Sequence, residues 1–142
     1  MKNYLNIIAK MKGNNISLMH KNVFEFGDQK VTQFVIFECK WLFSIILFYF
    51  HKSNGTQDRF HTHAFNALSL KLFGRYTEYT LEDDSVTSSI RKDVFKYFPR
   101  DCFHMIGNST GCMTMLLSGP WKKFWLEYKD NEKILYNWNR KL

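Results

Sequence analysis

The stretch Gly55–Gly74, GTQDRFHTHAFNALSLKLFG, decides how the rest of the chain is read. It places His61 and His63 two residues apart, and in an extended strand residues i and i+2 point to the same face. Two imidazoles on one face can grip one cation. A half-buried, hydrogen-bonded ring is the other use open to either histidine. Continued alternation puts His61, His63, Phe65, Ala67, Ser69 and Lys71 on one face and Leu68, Leu70 and Leu72 on the other, with Asn66 as a possible bulge or break. A barrel of two packed sheets requires that division. Gly74 reads as a hairpin turn, and across such a hairpin Glu78 falls about opposite Lys71, on or near the histidine face. That pair is either a structural ion pair or the source of a carboxylate for the histidines.

A second stretch, Pro99–Asn108, PRDCFHMIGN, sets a turn-former ahead of a strand in which Cys102, His104 and Ile106 face one way. With both stretches in view the chain resembles the cupin superfamily. The first cupin motif is a glycine, five residues, His-any-His, three or four residues, a glutamate, six residues and a glycine. Gly55, His61, His63 and Gly74 fall in register with it, and Ala67 stands where the glutamate would be. The second motif is a glycine, five residues, Pro-any-Gly, two residues, a histidine, three residues and an asparagine. Pro99, His104 and Asn108 match it, while Asp93 and Asp101 replace its two glycines. The motifs occupy about residues 55–74 and 93–108.

The resemblance implies a double-stranded β-helix, or jelly-roll barrel, in which His61, His63 and His104 ligate one transition metal and Glu78 is a possible fourth ligand. Imidazole suits Fe, Zn, Cu and Ni, so the donor type alone does not choose the ion. A three-histidine site without the glutamate is similar to that of the cysteine dioxygenase group, which implies iron. The segments Lys71–Glu78 and His104–Asn108 are similar to strands of that group. The segments Gly74–Glu78 and Ser118–Tyr128 also resemble small cupin proteins of phages and bacteria. Lys71 would orient an anion, with Phe65, Tyr76 and Phe103 as aromatic pocket walls. No arginine is placed to hold a substrate carboxylate: alternation turns Arg59 out of the barrel, and Arg75 sits at a turn.

Composition is consistent with one folded domain over residues 1–142. With 45% hydrophobic and 18% aromatic residues the chain is globular and not a disordered tail. Two prolines, seven glycines and abundant Phe, Tyr, Ile and Thr favour strands over helices. The longest apolar run, Trp41–Phe50, is too short to cross a bilayer and lacks the flanks of a signal peptide, which points to a cytoplasmic protein. Cys39, Cys102 and Cys112 form an odd set without paired spacing, as free thiols in a reducing compartment do. The net charge of +7 is scattered and forms no stripe. A Lys-rich solvated surface accounts for it, and without a reader motif nucleic acid is the weakest partner class.

Outside the two motifs, Met1–Lys12 carries Tyr4, Ile7, Ile8 and Met11 at a helical period, predicting a short N-terminal helix. Ile16–Phe26 is a strand or an arm, and Val31–Cys39 is a strand. The run Trp41–Phe50 reads as a strand buried on both faces, needing closure or an interface to cover it. Further strand candidates lie at 75–81, 86–91, 94–98, 112–117 and 123–128, with 134–138 either a last strand or a helical turn. The exposed aromatic strands make a homodimer plausible.

Two functions follow. One is an Fe(II)-type oxygenase acting on a small polar or anionic molecule. The other is a non-catalytic cupin pocket that captures a sugar, nucleotide or other anionic ligand.

Overall fold

In the computed structural model, which describes residues 16–137, all regular structure is β. The strands are β1 (Ile16–Phe26), β2 (Gln29–Cys39), β3 (Ser44–Phe50), β4 (Phe60–His61), β5 (Ala67–Phe73) and β6 (Thr77–Glu82) in the first half. The second half holds β7 (Ser85–Ile90), β8 (Phe95–Phe98), β9 (Phe103–Gly107), β10 (Cys112–Ser118), β11 (Phe124–Lys129) and β12 (Glu132–Asn137). They form two antiparallel six-stranded sheets, β1-β2-β3-β10-β5-β8 and β12-β11-β4-β9-β6-β7. This is the jelly roll that the sequence predicts. The helix expected over Met1–Lys12 lies outside the described residues; Ile16–Phe26 is a strand, and the last segment is one too.

Alternation explains which residues fill the space between the sheets. Val35, Ile46, Ala64, Phe65, Ala67, Phe98 and Leu116 form one buried cluster, and Val31, Phe50, Tyr76, Ile106 and Cys112 a second. Each Val, Leu, Ile or Phe among them contributes about 1.5–3 kcal/mol on leaving water. The stretch Trp41–Phe50 behaves differently from its reading as doubly buried. Trp41 is 63% exposed ahead of β3, and within the strand the buried positions are Ser44, Ile46 and Phe50 while those between are only partly covered. Pairing with β2 and β10 satisfies its edges, so its outward side chains need less cover than a free strand would.

The predicted strand through the two histidines is broken. After His61 the chain leaves the second sheet, runs as irregular backbone over residues 62–66, and rejoins as β5 in the first sheet. Asn66 anchors this crossing: its carbonyl accepts from Gly119 N and its side-chain oxygen from Arg100 N. Gly74 likewise makes a second crossing and not a hairpin, because β5 and β6 belong to different sheets. Its φ of +81° is open to glycine, and a Cβ there would lie 2.2 Å from the Gly111 carbonyl oxygen. Glu78 is therefore not opposite Lys71. It pairs with Ile106 and Ser89, whereas Lys71 pairs with Thr114.

Candidate metal centre and its cavity

Three of the chain's five histidines converge. His61 on β4 is the direct antiparallel partner of His104 on β9, so their rings meet across the sheet, tilted at 54° with centroids 4.8 Å apart. His63 sits on the crossing segment, where its own N–H donates to the Arg100 carbonyl and the neighbouring Thr62 N–H to Leu126. These bonds turn the His63 ring back towards the other two, 5.1 Å from His61 and 4.9 Å from His104. One nitrogen from each ring lies within 4.8 Å of the other two.

The protonation chemistry suits a cation. Burial, reinforced by the nearby His104, pushes His61 well below the usual imidazole range and holds His63 at about 3. Both rings are therefore neutral near pH 7 and carry a lone pair. His63 Nε2 and His104 Nε2 are 2.7 Å apart, which requires a proton between them. An ion binding here takes that proton's place.

Glu78 stands behind the histidines. Its Oε1 is 3.2 Å from His104 Nδ1, and its Oε2 is ion-paired with Lys96. Burial raises its carboxyl, but the bonds from His104 and Lys96 and their charges outweigh that and leave it below the usual carboxylate range. Accepting the Nδ1 proton of His104 leaves Nε2 of that ring free to face its neighbours. With both carboxylate oxygens engaged, Glu78 lies outside the three-nitrogen cluster.

The histidines open onto a cavity of about 210 Å³. Its wall is dominated by Phe24, Phe26, Phe48, Phe50, Trp121 and Trp125, with Gln33, Gln57, Ser69, Tyr76 and Thr114 as polar members. Of the four residues expected around a ligand, Phe65 and Tyr76 line this cavity, and Phe65 stacks on His63 at 5.2 Å. The other two do not. Phe103 faces a separate pocket with Arg100 and Leu135, since β9 alternation sends it opposite to His104, and Lys71 Nζ donates to the carbonyls of Arg91 and Lys92.

Arg59 also departs from its reading. It lies in the bend just ahead of β4, where strand alternation does not apply, and it ion-pairs with Asp58 and Glu127 and packs over Phe26. Asp58, bonded by Arg59 and Lys129, is held at about 2. The buried arginine is one that sequence reasoning passes over, Arg91, only 3% exposed. It lies just past β7, whose side chains are all exposed, so no apolar period marks it as interior. Lys96 and the two tryptophans are equally unmarked, because only the tertiary fold brings β8 to Glu78, Trp121 to Phe65 and Trp125 to the cavity wall.

Comparison with known proteins adds to the fold. No protein-family model matches the chain, and no curated protein matches it in sequence. Solved structures do match. A tryptophan variant of oxalate decarboxylase from Bacillus subtilis is 11% identical over 72% of this chain and 27% of its own, with a TM-score of 0.54. A formate complex of oxalate decarboxylase from Lactobacillus farciminis is 13% identical over 82% of this chain and 33% of its own, with a TM-score of 0.55. The chain thus spans about a third of the length of these enzymes. At such identities the likeness is one of architecture: the two sheets form a jelly-roll barrel like theirs, and this chain carries a three-histidine group able to hold a metal.

Proposed function

We propose that His61, His63 and His104 hold one transition-metal ion, iron first among Fe, Zn, Ni and Cu, and that the protein is an Fe(II)-type oxygenase of a small molecule admitted to the adjoining cavity. The observation that carries this reading is the convergence of three imidazole donors, within 4.8 Å of one another, on the wall of that cavity. When bound, the ion supplies Lewis acidity and, as iron, redox chemistry with dioxygen. The chain's own residues do the rest. Glu78 fixes the His104 tautomer, Phe65 holds the plane of His63, and the aromatic walls exclude water around a small apolar body.

One observation favours the second reading, capture without turnover. Besides the three histidines and Tyr76, the described cavity wall has no ionisable side chain able to move a proton. Oxygen-electrode measurements on the ferrous protein with thiols, keto acids, aromatic acids and nucleotides separate the two. An oxygenase consumes oxygen in proportion to one of these compounds, and uptake that none of them stimulates leaves capture as the function.

The role given to Glu78 predicts a graded effect. Glu78→Gln keeps the three nitrogens but weakens the charge-assisted bond to His104, and metal affinity falls about 10–100-fold at neutral pH. Competition against a chromophoric chelator measures this. An unchanged affinity would return Glu78 to a purely structural partnership with Lys96.

A further inference from the structure

Arg91 is a buried cation without a carboxylate. Its Nη1 donates to Ser69 Oγ and to Tyr76 Oη, each at 2.8 Å, its Nη2 to the carbonyls of Ser69 and Val94, and its Nε to that of Asp93. The five N–H groups of the guanidinium are thereby used, all on neutral oxygens. The rings of Tyr76 and Phe98 lie against it. Among the described residues no acidic side chain pairs with it, although a buried charge of this kind is destabilising unless it is compensated.

The two hydroxyls it binds are themselves incomplete. Ser69 and Tyr76 are each 2% exposed and both line the cavity. An arginine can only donate, so each hydroxyl oxygen serves as acceptor towards Arg91 and its own proton points elsewhere. Among the described residues neither proton has an acceptor. A buried donor left unused is unfavourable, and two such donors beside one guanidinium define a place that lacks an anionic oxygen.

We propose that Ser69 and Tyr76, oriented by Arg91, donate their protons to the carboxylate of a cavity ligand whose remaining body is apolar. The ligand class is an aryl or alkyl monocarboxylate. The aromatic walls leave a second charge without a partner, so a small dianion such as oxalate fits poorly. Arg91 touches no ligand: it is a positioning residue that polarises the two hydroxyls and supplies the positive field. The proposal rests on the reading of this cavity as the ligand site, and does not require the ion.

The test uses phenylacetate and its neutral isostere phenylacetamide, titrated calorimetrically and by the fluorescence of Trp121 and Trp125 in the cavity wall. Metal-stripped and zinc-loaded protein are compared, with zinc content measured in parallel. Wild-type protein should prefer phenylacetate at least tenfold, and Tyr76→Phe and Ser69→Ala should each reduce that preference about tenfold, with unfolding midpoints showing that the variants are folded. A preference that survives in both variants, a wild-type preference for the amide, or no binding of either probe overturns the proposal. Zinc retention without carboxylate preference defeats this proposal alone. Carboxylate preference without zinc retention supports it and defeats the metal reading alone.

Discussion

His104→Ala should reduce the bound transition metal from about one ion per chain to less than a tenth of that. His104 is the hub of the cluster: it is the strand partner of His61, it shares a proton with His63, and it is the ring that Glu78 orients. Removing it takes away one donor and also the neighbour that keeps the other two rings in place. Two imidazoles from flexible positions bind an ion far more weakly than three preorganised ones. The measurement is elemental analysis of protein purified without a histidine tag, under reducing conditions and after exposure to ferrous, zinc and nickel salts. Under a tenth of an ion per chain in wild type as well would remove the metal from the account. An ion fully retained in His104→Ala would place it elsewhere.

Metal-stripped protein should lose stability steeply as pH falls from about 6.5 towards 3. In the unfolded chain His61 and His63 take up protons near 6.5. In the fold, burial first and the nearby His104 second keep both neutral, His63 down to about 3. Over that interval the unfolded state binds more protons, so acid shifts the equilibrium towards it; above 6.5 the contribution is constant. For His63 alone the loss reaches roughly 3–5 kcal/mol, a large part of the 5–15 kcal/mol typical of a domain. Urea midpoints at pH 7, 5 and 4 measure it, and His63→Gln should flatten the dependence. Asp58, held at about 2 by Arg59 first among its partners, keeps its contribution until pH drops below about 4. The two effects therefore overlap only between about pH 4 and 3, and a loss seen from pH 7 to 4 belongs to the histidines. A midpoint that stays constant between pH 7 and 4 would show that the histidines are hydrated.

The barrel was legible in the sequence because its signals are local. Alternation, turn residues and the spacing of His61, His63, Pro99 and His104 each depend on a few neighbouring positions. Connections were less legible. Gly74 marks a reversal in either case, and nothing nearby distinguishes a hairpin within one sheet from a corner between two. Only the Gly111 carbonyl against it, 37 residues away in sequence, shows which it is. That one choice misplaced Lys71 beside Glu78. The same limit hid Arg91 and Lys96, whose partners Ser69, Tyr76 and Glu78 are brought to them by packing. Phe103 was assigned inward although it alternates with His104, and there the period itself gave the correction.

The position of His63 has a mechanical consequence. Its ring is carried by the bend at residues 62–66 through which the polypeptide passes from one layer to the other, while His61 and His104 sit on adjacent ribbons of a single layer. An ion shared by all three would rivet that bend shut. Prying the layers apart at this corner would then have to break a coordinate bond first, so occupancy should slow spontaneous opening and proteolytic nicking at 62–66 more than at the far end of the barrel.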